Sequence, residues 1–424
     1  MVLDAHFYSF SLRSKTKMAK KIYLDYAATT PVDKKVLKEM LPYFSEKFGN
    51  AMSVHFFGQE ALQAIDLART RAAKFFHAYP SEIIFTSGAT ESNNLVVKGV
   101  LKSYYSKHKS KPHIITTAFE HHCVLDACKA AEKEGLAEVT FILPDKDGII
   151  GEKEIEKAIR KDTILVSVMY VNNEIGTVQP IAKIGKIIKL ENAGRKVGFD
   201  FPLMFHTDAT QAINYFDCDV DRLGVDLLSM SAHKIYGPKG VGMLYVRKGA
   251  RIRRIQDGGD QEYKLRAGTH NVPAIVGLGK ALELVCSSQP TVYAKVTKLR
   301  DHLIKRVLEE IPNARLNGSK TKRSPNNANF SFKDVEGEGL LLSLDMEGVA
   351  CSTGSACSSG ALSPSHVLLS IGLKPEQAHG SLRVTLGKYT TKKEIDLTVN
   401  KIKSVVERLR KISGNILKDY YSKK

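Results

Sequence analysis

Seven short apolar runs recur at 82–86, 113–117, 139–143, 164–170, 203–205, 227–230 and 242–246, and helical stretches fall between most of them, around 122–134, 152–160 and 181–194. Parallel strands need a long crossover connection, and a helix is the usual one. The alternation therefore predicts an α/β fold: a mostly parallel sheet with helices on both faces. Ligands in such sheets gather beyond the carboxyl ends of the strands. Two reactive side chains fall at such ends: Asp208 follows the run 203–205, and Lys234 follows 227–230.

An acid at one strand end and an amine at the next suit pyridoxal phosphate. Lys234 would hold the aldehyde as a Schiff base and Asp208 would keep the pyridine nitrogen protonated, making the ring an electron sink. Gln211, one helical turn past Asp208, would hydrogen-bond the phenolic oxygen, and Ser231 and His233 flank the lysine as phosphate ligands. Each residue alone has an ordinary reading, since an Asp there is commonly a helix cap and a Lys a solvated end. A second feature bears on the choice. The apolar run at 82–86 leads into Ser87-Gly88-Ala89-Thr90-Glu91-Ser92 and then a helical pattern. A strand, a small-residue turn and a helix N-terminus make an anion cup of backbone N–H groups, to which Thr90 adds a hydroxyl. Without the lysine downstream, the same stretch reads as a plain helix start.

The chain has 424 residues, enough for a large core and two or three domains. Residues 1–20 are basic and precede an apolar strand at 22–25, so they read as an N-terminal extension, either a transit peptide or a tail ahead of a start at Met18. Helical spacing marks 31–48 and 58–76. From about 289 the pattern changes: a helix at 292–310, a polar loop, a strand at 328–332 and further α+β pattern predict a smaller second domain. The division expected is a large cofactor-binding domain at 36–288, a small domain from 21–35 and 289–410, and a basic tail at 411–424. Within the small domain, 351–363 is rich in Ser and Gly, poor in apolar residues, and reads as a mobile loop. The net charge of +18 is dispersed, with no arginine-rich or aromatic-interleaved motif, so no stable nucleic-acid binding is expected. No apolar run approaches the length of a membrane span. The six cysteines match no zinc or redox spacing, which points to free thiols in a reducing compartment and to no metal site.

Nine ordered motifs carry a resemblance: YLDYAATTP at 23–31, TSGATESNN at 86–94, EHH at 120–122, VNNEIGTVQP at 171–180, HTDATQ at 206–211, SAHKIYGPKG at 231–240, RAGT at 266–269, TGSAC at 353–357 and SLRVTLG at 381–387. Together they resemble the cysteine desulfurases, pyridoxal-phosphate enzymes of the class V aminotransferase type, from residue 21 to about 400. The long Ser/Gly-rich stretch after TGSAC is similar to the iron–sulfur-cluster and nitrogen-fixation subgroup. The fold implied is that of the aspartate-aminotransferase-like enzymes, with a seven-stranded sheet in the large domain.

By this resemblance Lys234, Asp208 and Gln211 hold the cofactor as above, and His121 stacks on its ring and moves protons. Thr90 and the backbone at Ala89, with Ser231 and His233, would hold the phosphate. Thr269 would reach the phosphate of a neighbouring protomer, which implies a homodimer. Asn173 and Arg383 would bind the carboxylate of L-cysteine, for which a planar guanidinium is the natural fork. Cys357, as a thiolate, would take the sulfur as a persulfide and release alanine. It would pass the sulfur to an iron–sulfur scaffold protein or another acceptor, tRNA thiolation included, and at most ligate iron transiently. Cys351 is either a second thiol for the persulfide or a small core residue. A cytoplasmic location is expected, or a mitochondrial one if residues 1–20 are a transit peptide. Departures from the family pattern are Asp260 and Lys264 at usual glycines, Ala51-Met52 in place of Pro-Ser, and a longer stretch at 194–202. Two rivals remain: an aminotransferase or selenocysteine lyase of the same fold, and a basic scaffold keeping a relic of the site. A transaminase needs no thiol such as Cys357, and a relic would have lost some of Lys234, Asp208, His121, Cys357 and Arg383.

Overall fold

The computed structural model describes residues 21–195, 201–354 and 364–422, with side chains as far as residue 412. The extension 1–20, part of the stretch 194–202 and Cys357 itself lie outside the described residues.

A seven-stranded sheet forms the centre. Its strands are β2 (Ile83–Thr86), β3 (His113–Thr117), β4 (Glu138–Ile142), β5 (Thr163–Ser167), β6 (Met204–Asp208), β7 (Leu227–Ser231) and β8 (Gly242–Val246), following a short β1 (Ile22–Tyr23). Their order is β2-β8-β7-β6-β5-β3-β4, and β8 alone runs against both neighbours. The four pairings from β7 across to β4 are all parallel.

The apolar runs look continuous in sequence because both faces of the sheet are buried. Alternate residues nonetheless serve different cores. Phe205, Leu228, Met230, Met243 and Tyr245 pack with the helices Phe56–Phe76 and Ile181–Gly194 and the first half of Val272–Glu310. Met204, Leu227, Leu244 and Val246 pack on the other face with Ala89–Tyr105 and His122–Lys133. Each such fully buried side chain contributes about 1.5–3 kcal/mol, so a one-residue slip in any central strand would be heavily penalised.

Another core joins Ile22 and Leu24 to residues from the second half of Val272–Glu310, from the helix Lys392–Ser422, and from the strands β10 (Asn327–Phe332), β11 (Val349–Ala350) and β12 (Ser381–Thr385). β10 is the middle strand of an antiparallel sheet between β12 and β9 (Ala314–Leu316), while β1 pairs with β11 in parallel. β1 is thus built into the part of the molecule formed by the end of the chain.

The pattern at 292–310 is the second half of one 39-residue helix that runs through Pro290. Its buried positions fall into two groups, Val272 to Val285 against the large sheet and Val296 to Val307 against the other core. Periodicity weakens between them because that middle section is only partly buried, with Val292 packing against the other core and Gln289 donating to Ile213 O and Phe216 O. The hydroxyls of Ser287 and Ser288 both donate to Leu284 O just ahead of the proline. The expected helix at 31–48 is instead two pieces, Lys34–Met40 and Pro42–Ser45, because proline has no N–H to continue the ladder. Among the described residues no helix is long and apolar enough to cross a membrane.

Candidate active site

The site lies at the carboxyl ends of β6, β7 and β2. Asp208 is the last residue of β6, with only 6% of its surface exposed. Its Oδ2 accepts from Asn93 Nδ2 at 2.8 Å and its Oδ1 from the backbone N–H of Thr210 at 2.9 Å. Behind it His206 is held between the hydroxyls of Ser167 and Ser229, and burial pushes its pKa down to about 4. β7 runs out at Ser231 into a single 3-10 turn, Ala232–Lys234. The ammonium of Lys234 donates to Ala27 O and Ala28 O, both at 2.6 Å.

After β2 the chain turns at Gly88 (φ 156°, ψ 175°) and enters the helix Ala89–Tyr105 with no side-chain cap. That backbone conformation is open essentially to glycine alone. On β8, a Cβ at Gly242 would lie 2.7 Å from Gly88 Cα, so both glycines are needed for this turn to sit on the sheet. The uncapped helix start leaves its N–H groups and its positive dipole end for an anion. Thr90, Ser231 and His233 surround the same spot. Burial, then Lys234 and Lys239, push His233 down to about 4, and its Nδ1 lies 3.1 Å from Thr29 Oγ1.

His121 is the N-cap of the helix His122–Lys133, its Nδ1 accepting from the backbone N–H of Cys123 at 3.2 Å. Burial holds its pKa below the usual histidine range. Next to it Glu120 is fully buried and pushed up to about 8 by desolvation, although Oε1 accepts from Thr117 Oγ1 and Met169 N at 2.7 and 2.8 Å. Asn173 sits on a turn shaped by its neighbour: Asn172 Oδ1 accepts from the N–H groups of Glu174 and Ile175. Buried Arg323 braces that turn, donating to Ile175 O at 2.7 Å and to Ser319 O at 2.8 Å, and desolvation lowers its pKa to about 9. Arg383, in β12, pairs with Asp25 at 2.8 Å and donates to Asn173 O at 3.1 Å.

One cavity of about 540 Å³ is lined by Ala89, Thr90, His121, Asn173, Asp208, Gln211, Ser231, His233, Lys234 and Arg383. Ten residues singled out from the sequence therefore meet in one place. Gly354, three residues before Cys357, lines the same cavity. Thr269 does not join them and is exposed on its own loop. Gln211 Nε2 donates to Ala27 O at 3.0 Å. Cys351 packs against the core formed by the end of the chain.

Pyridoxal phosphate can be tested against this geometry through atoms without partners. Thr210 Oγ1, Asn173 Oδ1 and Arg383 Nε are buried and unpaired, and all three belong to residues lining the cavity. Such atoms are costly unless a ligand satisfies them. Together with the uncapped helix start, the ammonium of Lys234 and the carboxylate of Asp208, they fit a phosphorylated pyridine aldehyde and an amino-acid carboxylate.

Several residues of the site had drawn no role from the sequence. Ala27 and Ala28 act through carbonyl oxygens, which leave no side-chain signature. Asn93 and Cys123 stand inside or beside quoted motifs, and only their contacts to Asp208 and His121 distinguish them. A polar residue one position before the second Asn of TSGATESNN was the available signal.

The model of the aminotransferase class-V family matches residues 22–398. The cysteine desulfurase IscS of Dictyoglomus turgidum is 50% identical over 396 residues, covering 93% of this chain and 97% of that protein. Among solved structures, a NifS-like protein superposes with a TM-score of 0.83 at 37% identity, covering 91% of this chain and 99% of that one. A structure described as SspA in complex with cysteine gives a TM-score of 0.75 at 38% identity, covering 87% and 100%. With half its residues shared with a cysteine desulfurase along nearly the whole of both chains, this chain belongs to the class-V aminotransferase family, among its cysteine desulfurases.

Proposed function

We propose that this protein converts L-cysteine to L-alanine and carries the released sulfur as a persulfide on Cys357. The single observation that supports it best is the cavity that unites Lys234, Asp208, His121, Asn173 and Arg383 and has Gly354 in its wall.

Bound pyridoxal phosphate supplies an electron sink for the carbanion formed at the substrate's α-carbon. Lys234 would hold it covalently, Asp208 would pair with its ring nitrogen, and Ala89, Thr90, Ser231 and His233 would take its phosphate. Arg383 and Asn173 then orient the substrate carboxylate, with Asp25 fixing the guanidinium plane from behind. The amine of Lys234, once freed, is the base for the α-proton, and His121 carries protons beside it. Cys357 as thiolate forms a sulfur–sulfur bond while the substrate's carbon–sulfur bond breaks, and the carbon side gains a proton and leaves as alanine. Sulfur leaves the protein when an acceptor thiol attacks the persulfide; an iron–sulfur scaffold or a tRNA-thiolation protein has the right chemistry.

A homodimer is supported by a run of exposed apolar side chains, among them Leu41 at 56%, Phe44 at 61%, Phe48 at 66%, Val54 at 91% and Phe56 at 74%. Exposure of this kind over one short segment marks an interaction surface, and the exposed Thr269 agrees with a role toward a second copy. Cys123, Cys128, Cys218, Cys286 and Cys351 are all free thiols, in keeping with a reducing compartment, the cytoplasm or, if residues 1–20 are a transit peptide, the mitochondrion.

The test is release of alanine and sulfide from L-cysteine with a reductant present, alongside visible spectra. Wild type should be yellow and form the two products equally. Cys357→Ala should keep its colour and lose turnover, and Lys234→Ala should lose both. Turnover by Cys357→Ala at the wild-type rate would refute the role of that thiol.

A further inference from the structure

The helix Ala89–Tyr105 and the start of the helix His122–Lys133 meet beside Asp208, and three side chains there form a chain of hydrogen bonds. Asn93, completely buried, donates through Nδ2 to Asp208 Oδ2 at 2.8 Å and to Cys123 Sγ at 3.0 Å. The sulfur in turn lies 2.9 Å from His121 Nδ1. Cys123 and His121 both line the cavity.

The direction of each bond follows from counting protons. An amide nitrogen is donor only, and both its N–H groups are committed, one to a carboxylate and one to sulfur. The sulfur accepts from Asn93, so its own proton is available to His121. His121 Nδ1 also accepts the backbone N–H of Cys123 at 3.2 Å, a longer contact that favours an unprotonated Nδ1 and that the thiol at 2.9 Å reinforces. A thiol proton aimed at the same lone-pair side is compatible with that state and opposed to any proton on Nδ1.

We infer that Cys123, oriented by Asn93, is a positioning residue that keeps the proton of His121 on Nε2. The inference rests on the reading of His121 as the group that works beside the cofactor, and it specifies the atom: protons exchanged with reactants pass through Nε2. Burial and the charges of Asp208 and Glu120 push the Cys123 thiol up to about 12, so it remains a donor throughout the working range. The groups facing His121 are Asp208, which favours its charged form, and Lys234, His122 and His366, which oppose it along with burial.

The experiment uses the full-length protein loaded with pyridoxal phosphate and labelled with ¹⁵N-histidine, His121→Gln identifying the resonances. At pH 8 wild type should show a bare Nδ1 and a protonated Nε2. Cys123→Ala should show mixed tautomers, with the His121 titration midpoint raised by roughly one pH unit, the worth of one neutral hydrogen bond to the uncharged ring. Cys123→Ser, which keeps a donor, should restore the wild-type tautomer and most of the midpoint. A proton on Nδ1 in wild type, or a Cys123→Ala protein with unchanged tautomer and midpoint, would overturn the inference. The tautomer is read without turnover, so failure of this inference and failure of the functional reading give different results.

Discussion

Removing the carboxylate of Glu262 should cost this protein more stability than almost any other single truncation. Glu262 is 5% exposed and serves four donors: Arg69 through both terminal nitrogens at 2.9 and 2.7 Å, His270 Nε2 at 2.9 Å, and the backbone N–H of Phe85 at 2.7 Å. It also opens three consecutive left-handed residues, Glu262, Tyr263 and Lys264, with φ of 47°, 54° and 68°. Non-glycine residues adopt that conformation only when their surroundings impose it. Glu262→Ala leaves the Arg69 guanidinium buried without its carboxylate, Ile83 O remaining as a neutral acceptor, and breaking such a pair costs about 3–5 kcal/mol. At roughly 2 cal/mol/K of unfolding entropy per residue, that lowers the melting temperature by about 3–6 °C for a chain of this size. The effect has a defined pH dependence. Desolvation raises the carboxyl's pKa, but the bonds from His270 and Arg69 outweigh it and hold the pKa below the ordinary value of 4.5. A depressed acid contributes its full stabilisation above the unfolded pKa and loses it as pH falls through the folded one. The gap between wild type and Glu262→Ala should therefore be constant from pH 8 to about 5.5 and narrow only below about 4.5. Thermal melts of both proteins across that range test the argument. A gap under 1 °C at pH 7.5, or one that closes between pH 8 and 6, would refute it.

Glu120 predicts the opposite sign. Its folded pKa is raised to about 8, so burial costs stability progressively as pH climbs from the unfolded value toward 8; Glu120→Gln should match wild type near pH 5 and exceed its melting temperature at pH 8, as paired melts would show. The apolar segment gives a solution test: Phe44→Glu with Phe56→Glu should turn a dimer of about twice 46.9 kDa into a monomer by light scattering, and a dimer that survives both changes would place the interface elsewhere.

The β–α alternation and the two strand-end residues were legible because each is a local property. Lys234 and Asp208 follow apolar runs that must be strands whatever surrounds them, and Gly88-Ala89-Thr90 follows another. The 39-residue helix through Pro290 was not legible as one element, since two cores claim its two halves and leave its middle without a stripe. The helix expected at 31–48 was overestimated for the converse reason: the apolar spacing continued across Pro42 while the backbone ladder could not. The carbonyls of Ala27 and Ala28, which hold Lys234 across 207 and 206 positions of sequence, have no pattern to read.

By itself the sequence determined the class of sheet, the ends of its strands and the residue types waiting there, because hydrophobic period and turn chemistry act between near neighbours. Tertiary structure alone decided that β8 runs against its neighbours, that β1 pairs in parallel with β11, that Asp25 pairs with Arg383, and that Asn93 links Asp208 to Cys123 and His121. Those contacts join groups far apart in sequence, and what selects them is the burial of polar atoms that must find partners once the core excludes water.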